Sequence, residues 1–214
     1  MTYSLSFLRA LLLCPAVMFA TGNLVFALAK AEVVGITVNA LIVLAAWGSR
    51  IYELASGKSF GLPFYVLAVV NIITAASILQ HSGFSLTELG ALAFLCWGVG
   101  HGLAGYYTAR DKVAKTRLLD FQLYYGVGNL AINPGNLYAG AVFLAGTVLA
   151  LVWPQVYMRP AWVRPVTPNR LYALAFFIAA GMSFSTPGVA VANLLWAVAC
   201  ASFDLPKRLT ERPA

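Results

Sequence analysis

The stretch Thr108-Ala-Arg-Asp-Lys-Val-Ala-Lys-Thr-Arg-Leu-Leu-Asp120 is the most polar part of the chain, and the rest of the sequence is organised around it. Long apolar runs lie on both sides of this stretch, and the two flanks resemble each other. Short loops rich in Lys and Arg mark the cytoplasmic side of membrane proteins. We therefore predict a cytoplasmic connector, residues 108–120, between two membrane-embedded halves, residues 1–107 and 121–203, with a cytoplasmic tail at 204–214.

The composition predicts an all-α, polytopic integral membrane protein. Hydrophobic residues make up 61% of the 214 residues and charged residues only 10%, whereas a soluble domain carries about 25% charged residues. A soluble core of this size cannot absorb so much apolar surface. The net charge of +7 is explained by basic loops that orient the chain across a membrane, so we expect no nucleic-acid partner.

Hydropathy divides the chain into about eight apolar segments. The first resembles a signal peptide at its start, but its apolar character continues far enough for a spanning helix. The segments are residues 7–29, 33–48, 61–79, 86–107, 118–132, 137–156, 171–184 and 188–203. Several are shorter than the roughly 20 residues of a comfortable span, so six spans plus re-entrant pieces are the alternative.

The basic residues favour eight crossings. With eight, thirteen of the fourteen Lys and Arg residues fall on the side of the connector, and only Lys30 falls on the other. The turns on that other side are short and, Lys30 apart, uncharged or acidic. This positive-inside pattern predicts a multi-pass protein of the bacterial cytoplasmic membrane with both termini in the cytoplasm.

The two halves contain matching sequence fragments that indicate a four-plus-four internal repeat. Gly22-Asn23-Leu24 recurs 106 residues later as Gly128-Asn129-Leu130. The stretch from Phe64 to Ala68 recurs 107 residues later, and Trp97 matches Trp196 at a shorter offset. Halves of this kind have the same orientation and are related by an axis along the membrane normal. Transporters built from internal repeats place the substrate path at the repeat interface.

The fourth segment combines glycines, a tryptophan and a histidine. Gly98, Gly102 and Gly105 lie near one helix face, where small residues allow a neighbouring helix to approach closely. Because glycine has no side chain, the same face leaves room for a solute beside Trp97. His101 is an ionisable group within a span, and because the intrinsic pKa of histidine lies near neutrality, it is a candidate proton relay or pH sensor. The alternative is a neutral histidine bonded to a backbone carbonyl near the interface.

Asparagines inside the apolar segments are the most informative polar residues. They are Asn23, Asn39, Asn71, Asn129 and Asn193. A buried amide needs hydrogen-bond partners. It finds them in a neighbouring helix, where each bond contributes roughly 0.6 kcal/mol, or in a solute that has lost its water. Each amide alone fits the first role. As a set, with almost no buried charge beside them, they indicate a path for an uncharged, hydrogen-bonding solute.

The sequence lacks the motifs of common enzyme classes and of metal sites. It contains no Walker motif, no Gly-x-Ser-x-Gly, no His-Glu-x-x-His and no paired carboxylates within a segment. Cys14, Cys96 and Cys200 lie inside apolar runs without a Cys-x-x-Cys pattern, and the two histidines are isolated. We therefore expect no enzyme activity, no catalytic residues, no metal and no cofactor.

Parts of the third and fourth segments resemble the family of urea and short-chain amide channels of bacterial inner membranes. The residues that carry the resemblance are Phe64-Tyr-Val-Leu-Ala-Val-Val-Asn-Ile-Ile-Thr-Ala-Ala-Ser-Ile-Leu79 and Leu95-Cys-Trp-Gly-Val99, with a looser similarity in the first hairpin. They cover under half of the chain. The resemblance implies a ring-shaped oligomer and passive flow of a small neutral solute past aromatic and amide groups, with Trp97 and Asn71 in the lining.

We expect a channel or carrier for a small neutral or weakly polar solute of the urea or amide type, working in the lipid bilayer as a homo-oligomer or within a larger membrane complex. The predicted lining consists of Asn23, Asn71, Asn129, Asn193, Trp97, Trp196 and His101. Two other functions stay open. One is a non-transporting helical subunit, or a lipid- or cofactor-binding accessory protein, of a larger membrane complex. The other is a lipid-modifying enzyme that uses His101.

Overall fold

The structure, a computed structural model, describes residues 5–31, 33–81, 87–110, 120–132, 137–152 and 166–205. Within these ranges the protein is all-α, as the sequence predicted. The helices are α1 (Leu5–Leu12), α2 (Pro15–Lys30), α3 (Val33–Ser56), α4 (Leu62–His81), α5 (Thr87–Arg110), α6 (Phe121–Ile132), α7 (Leu137–Val152), α8 (Pro168–Met182) and α9 (Pro187–Ser202). The connector residues 111–119 and the tail from 206 onward lie outside the described ranges.

Several helices have the length and apolarity needed to cross a membrane. Three satisfy both conditions alone, namely α3, α4 and α5. A fourth span is obtained if α1 and α2 are counted together, and α7 and α9 are shorter apolar helices. The multi-pass character predicted from composition is therefore supported by helix length and hydropathy in the described part of the chain.

The first apolar segment is not one continuous helix. Residues 7–29 were expected to form a single span, but α1 ends at Leu12 and α2 begins at Pro15, with a bend of 64° between them. A proline inside a helix lacks an amide hydrogen and clashes with the preceding turn, whereas at the first helical position it is well tolerated. Pro15 therefore starts a new helix, a feature that hydropathy alone does not reveal.

The helices from α2 onward pack mainly on their neighbours in sequence, and α9 returns to pack on α2. We call α2–α5 the first unit and α6–α9 the second unit. Two helix pairs join the units, α2 with α9 and α5 with α6. These two contacts, which we call the junctions, position most of the candidate site.

Three buried or half-buried carboxylates lie at helix N-termini. Glu53 Oε1 accepts hydrogen bonds from the backbone amides of Phe60 and Leu62 at the start of α4, both at 2.9 Å. Asp120 accepts from the amide of Gln122 at the start of α6. Asp204 accepts from the side chains of Thr167 and Asn169 at the start of α8. Because helix N-termini carry unsatisfied amides and partial positive charge, each carboxylate stabilises the helix it contacts.

Candidate functional site

Most of the predicted lining residues lie on the four helices of the two junctions. Asn23 on α2 and Asn193 and Trp196 on α9 belong to one junction, and Trp97, His101 and Asn129 on α5 and α6 belong to the other. Asn71 lies on α4, outside the four junction helices, and is buried on the same helix face as Phe64 and Leu67. Phe64 and Leu67 belong to a buried cluster that also contains Ala199 of α9.

At the first junction, the indole of Trp196 packs against Gly22. A methyl group added at Gly22 would lie 2.5 Å from Trp196 Nε1 and 3.3 Å from the carbonyl oxygen of Ala192, one turn earlier on α9. Trp196 Nε1 donates a hydrogen bond of 3.1 Å to Asn23 Oδ1. Gly22 thus leaves space for the indole ring, and the Asn23 side chain holds the N–H group of that ring by a hydrogen bond.

At the second junction, a tryptophan again packs against a glycine. A methyl group added at Gly128 would lie 2.6 Å from Trp97 Nε1 and 3.0 Å from the carbonyl oxygen of Ala93, again one turn before the tryptophan. Asn129, the residue after this glycine, is buried. In both junctions a glycine on the first helix of one unit, followed in sequence by an asparagine, therefore meets a tryptophan on the last helix of the other.

A histidine–tyrosine pair lies one turn beyond Trp97. The Tyr125 hydroxyl and His101 Nδ1 are 2.6 Å apart, so a short hydrogen bond links α6 to α5. Both side chains are buried. The structure thus gives the His101 ring a phenol as a hydrogen-bond partner.

Aromatic rings surround this pair. The Phe19 ring centroid is 5.4 Å from that of His101 and 5.7 Å from that of Tyr125. Phe64 approaches His101 at 6.4 Å, and Phe203 approaches Tyr125 at 5.8 Å. The cluster brings together rings from α2, α4, α5, α6 and the residue after α9, so the hydrogen bond is enclosed where the two units meet.

Three glycines of α5, Gly98, Gly102 and Gly105, face α4. A methyl group at Gly98 would lie 2.7 Å from Ile72 Cγ1, and one at Gly105 would lie 3.1 Å from the carbonyl oxygen of Gly61. A methyl group at Gly102 would meet only Ala68 Cβ, at 3.9 Å. Gly98 and Gly105 therefore allow α4 and α5 to approach each other closely, whereas the two helices are less tightly packed at Gly102.

Two of the amides bond within their own helices. Asn39 Nδ2 donates to the carbonyl oxygen of Gly35 at 2.8 Å, and Asn193 Nδ2 donates to that of Val189 at 3.0 Å. Asn23, in contrast, accepts from a different helix. The five asparagines thus occupy different environments, which composition and hydropathy do not distinguish.

Sequence reasoning missed Phe19 and Tyr125, although a signal for both was present. Each lies three residues before the glycine of a junction, Gly22 or Gly128, and the two are 106 residues apart like the glycines themselves. Extending the repeat by one helical turn would have placed them at the junctions.

Neither a protein-family model, nor a curated protein, nor a solved structure matches this chain. Among the described residues, no group of three or more His, Cys, Asp or Glu side chains is arranged to hold a metal ion.

Proposed function

We propose that the protein is an eight-span carrier of the bacterial cytoplasmic membrane that moves small, uncharged, hydrogen-bonding solutes between two similar four-helix units. The observation that carries the proposal is that a glycine packs against a tryptophan at both junctions, and that each of these glycines is followed by an asparagine. Helices α2 to α9 are the eight proposed spans. The shorter ones, such as α6 with 12 residues, require local thinning of the bilayer or a partner that shields their ends.

The pattern of helix contacts supports a two-fold relation between the units. Exchanging α2, α3, α4 and α5 with α6, α7, α8 and α9, in that order, turns each packed pair of helices into another packed pair. The junction of α2 with α9 becomes the junction of α6 with α5. A pseudo-two-fold axis along the membrane normal accounts for this exchange, and an internal repeat of four helices is its simplest origin.

The chemistry of the junction helices favours an uncharged solute. No Asp, Glu, Lys or Arg occurs in residues 15–29, 89–109, 121–132 or 187–202, which form the body of these helices. A charged solute would require opposite charges or oriented dipoles to replace its water. Asparagine amides, indole N–H groups and the His101–Tyr125 pair provide neutral donors and acceptors instead. The resemblance to urea and amide channels makes urea and acetamide the first solutes to test.

The packing at the junctions favours a carrier over a permanently open channel. Trp97 and Trp196 are in contact with glycines, and Phe19 packs against His101 and Tyr125. A solute can reach this region only if the units move relative to each other. Rigid-body rocking of one repeat against the other is how many transporters alternate access.

Solute uptake into proteoliposomes tests the proposal. Purified protein is reconstituted, and swelling is followed by stopped-flow light scattering with urea, acetamide and glycerol. We expect entry of at least one solute above the rate in empty liposomes, with saturation at high concentration as a carrier requires. Entry without saturation would replace the carrier with a channel, and rates equal to those of empty liposomes would contradict transport.

One observation favours the alternative of a non-transporting subunit. Gly48 lies on the exposed face of α3, and a methyl group added there would have nothing within 4 Å. Leu41 and Leu44 on the same helix are also exposed, at 63% and 69%. Such a face can receive a helix of a partner protein as readily as lipid. If this role is correct, Gly48→Trp should release a partner that co-purifies with the wild-type protein.

A further inference from the structure

Helix α1 presents an apolar surface that the proposed transport function does not use. Leu5, Leu8 and Leu12 are exposed, at 88%, 45% and 46%, and Arg9 beside them is exposed as well. The opposite face, with Phe7, Ala10 and Leu11, is buried against Leu54 and Trp47 of α3. The outward leucines therefore need a covering that the described part of the chain does not provide.

The position of α1 relative to α3 indicates the surroundings of its outward leucines. The hydrophobic residues of α3 that pack against α1, Trp47 and Leu54, lie in the C-terminal half of that helix. This end of α3 bears Arg50 and precedes Lys58, so it belongs to the basic side of the protein. The bend of 64° at Leu13 and Cys14 turns α1 away from the direction of α2. A short helix here lies where lipid headgroups meet acyl chains.

We infer that α1 is an interfacial helix that lies on the cytoplasmic leaflet, with its leucines at the acyl boundary and Arg9 at the phosphates. A helix in this position gains free energy from apolar area buried below the headgroups and from attraction between its cation and anionic lipid. α2 alone then makes the first crossing. The inference rests on the membrane placement under the proposed function, but not on transport.

A polar contact holds α1 in place. Arg50 Nη2 lies 3.5 Å from the carbonyl oxygen of Ala10, and Arg50 Nη1 donates to Glu53 Oε2 at 3.1 Å. Glu53 in turn binds the start of α4. The interfacial helix is thus linked through two side chains to a helix of the first unit, which keeps it at a defined angle to the bundle.

The depth of fluorescent labels in the bilayer tests the inference. Cysteines are introduced singly at Leu5 and Leu12 and labelled with a small fluorophore, and quenching by spin-labelled lipids at several depths is measured in proteoliposomes. Val34 and Leu41 of α3 are the matched control, because both are exposed and are also seven residues apart. The native cysteines are buried, so labelling of the unaltered protein should be negligible.

Seven residues of helix span about 10 Å, so the two control labels should differ in depth by nearly that amount. The labels at Leu5 and Leu12 should both lie at shallow depth. Their depths should differ by less than half of the difference between the two control labels. An equal depth difference in both pairs would overturn the inference, because α1 would then continue the first crossing. Quenching of none of the four labels by lipid would instead contradict membrane placement as a whole.

Discussion

At the scale of single residues, two glycines leave space for an indole ring because they have no side chain. Gly22 and Gly128 are 106 residues apart, and their contacts with Trp196 and Trp97 agree to within a few tenths of an ångström. The sequence predicted the correspondence of these residues. It could not predict that the tryptophans cross to the opposite unit, because that follows from how the units pack.

Gly22→Ala and Gly128→Ala should each lower the stability of the protein by about 1–3 kcal/mol, the usual cost of overpacking a tight contact. The effects should be similar, because the surroundings are similar. Gly48→Ala is the control, since its methyl group meets no atom within 4 Å. It should be neutral or stabilising by up to about 1 kcal/mol. Thermal unfolding in detergent measures all three, and an equal effect of all three variants would contradict the packing described.

Tyr125→Phe removes one hydroxyl from the aromatic cluster and leaves His101 Nδ1 without that partner. We expect a loss of about 1–3 kcal/mol, because a buried polar group keeps its desolvation cost when its hydrogen-bond partner is removed. Phe substitutions at both positions should cost less than the sum of the single changes. Additive losses in a double-mutant cycle would show that the two side chains do not interact.

At the scale of helices, hydropathy identified the apolar segments but not their breaks. The α-helical class and the long helices α4 and α5 could be predicted, because a run of apolar residues is a local property. Helix α3 continues to Ser56, eight residues beyond the predicted end at residue 48, because its last two turns carry polar residues that hydropathy does not count as part of a span. The break before Pro15 depends on a single residue within an otherwise uniform run. The capping of α4 by Glu53 also escaped prediction, because the carboxylate comes from the preceding helix.

Replacing Glu53 should be among the most damaging single changes at the ends of the helices. Glu53→Ala leaves the buried Arg50 without its carboxylate and the first turn of α4 without its acceptor, and should cost about 3–5 kcal/mol. Glu53→Gln keeps an oxygen for the amides of Phe60 and Leu62 and should be less harmful. Unfolding temperatures in detergent compare the two, and an Ala variant as stable as the Gln variant would exclude the capping role.

At the scale of the whole molecule, the proposed topology has eight crossings and a cytoplasmic connector. Alkaline phosphatase is active only outside the cytoplasm, so its fusions report the side of each loop. A fusion after Lys115 should be inactive, and one after Gly135 should be active. Activity at both positions, or at neither, would contradict a crossing by α6 and would favour six spans with re-entrant pieces.

The site could be predicted only in part from the sequence. The amides and tryptophans of the junctions were found, because polar and small residues are conspicuous within apolar runs. Asn71 was grouped with them by residue type, and it is buried on α4, which belongs to neither junction. Phe19 and Tyr125 were overlooked, because aromatic residues do not stand out in such a composition. Which polar residues share a junction depends on how the units meet, and that is not a local property.

Uptake by three matched asparagine variants tests whether the solute passes between the two units. Asn23 and Asn129 each follow the glycine of a junction, while Asn39 bonds to its own helix on α3. We predict that Asn23→Leu and Asn129→Leu each slow solute entry about tenfold, which corresponds to about 1.4 kcal/mol of lost solute stabilisation. Asn39→Leu should retain the wild-type rate. Equal rates in all three folded variants would contradict a solute path between the two units.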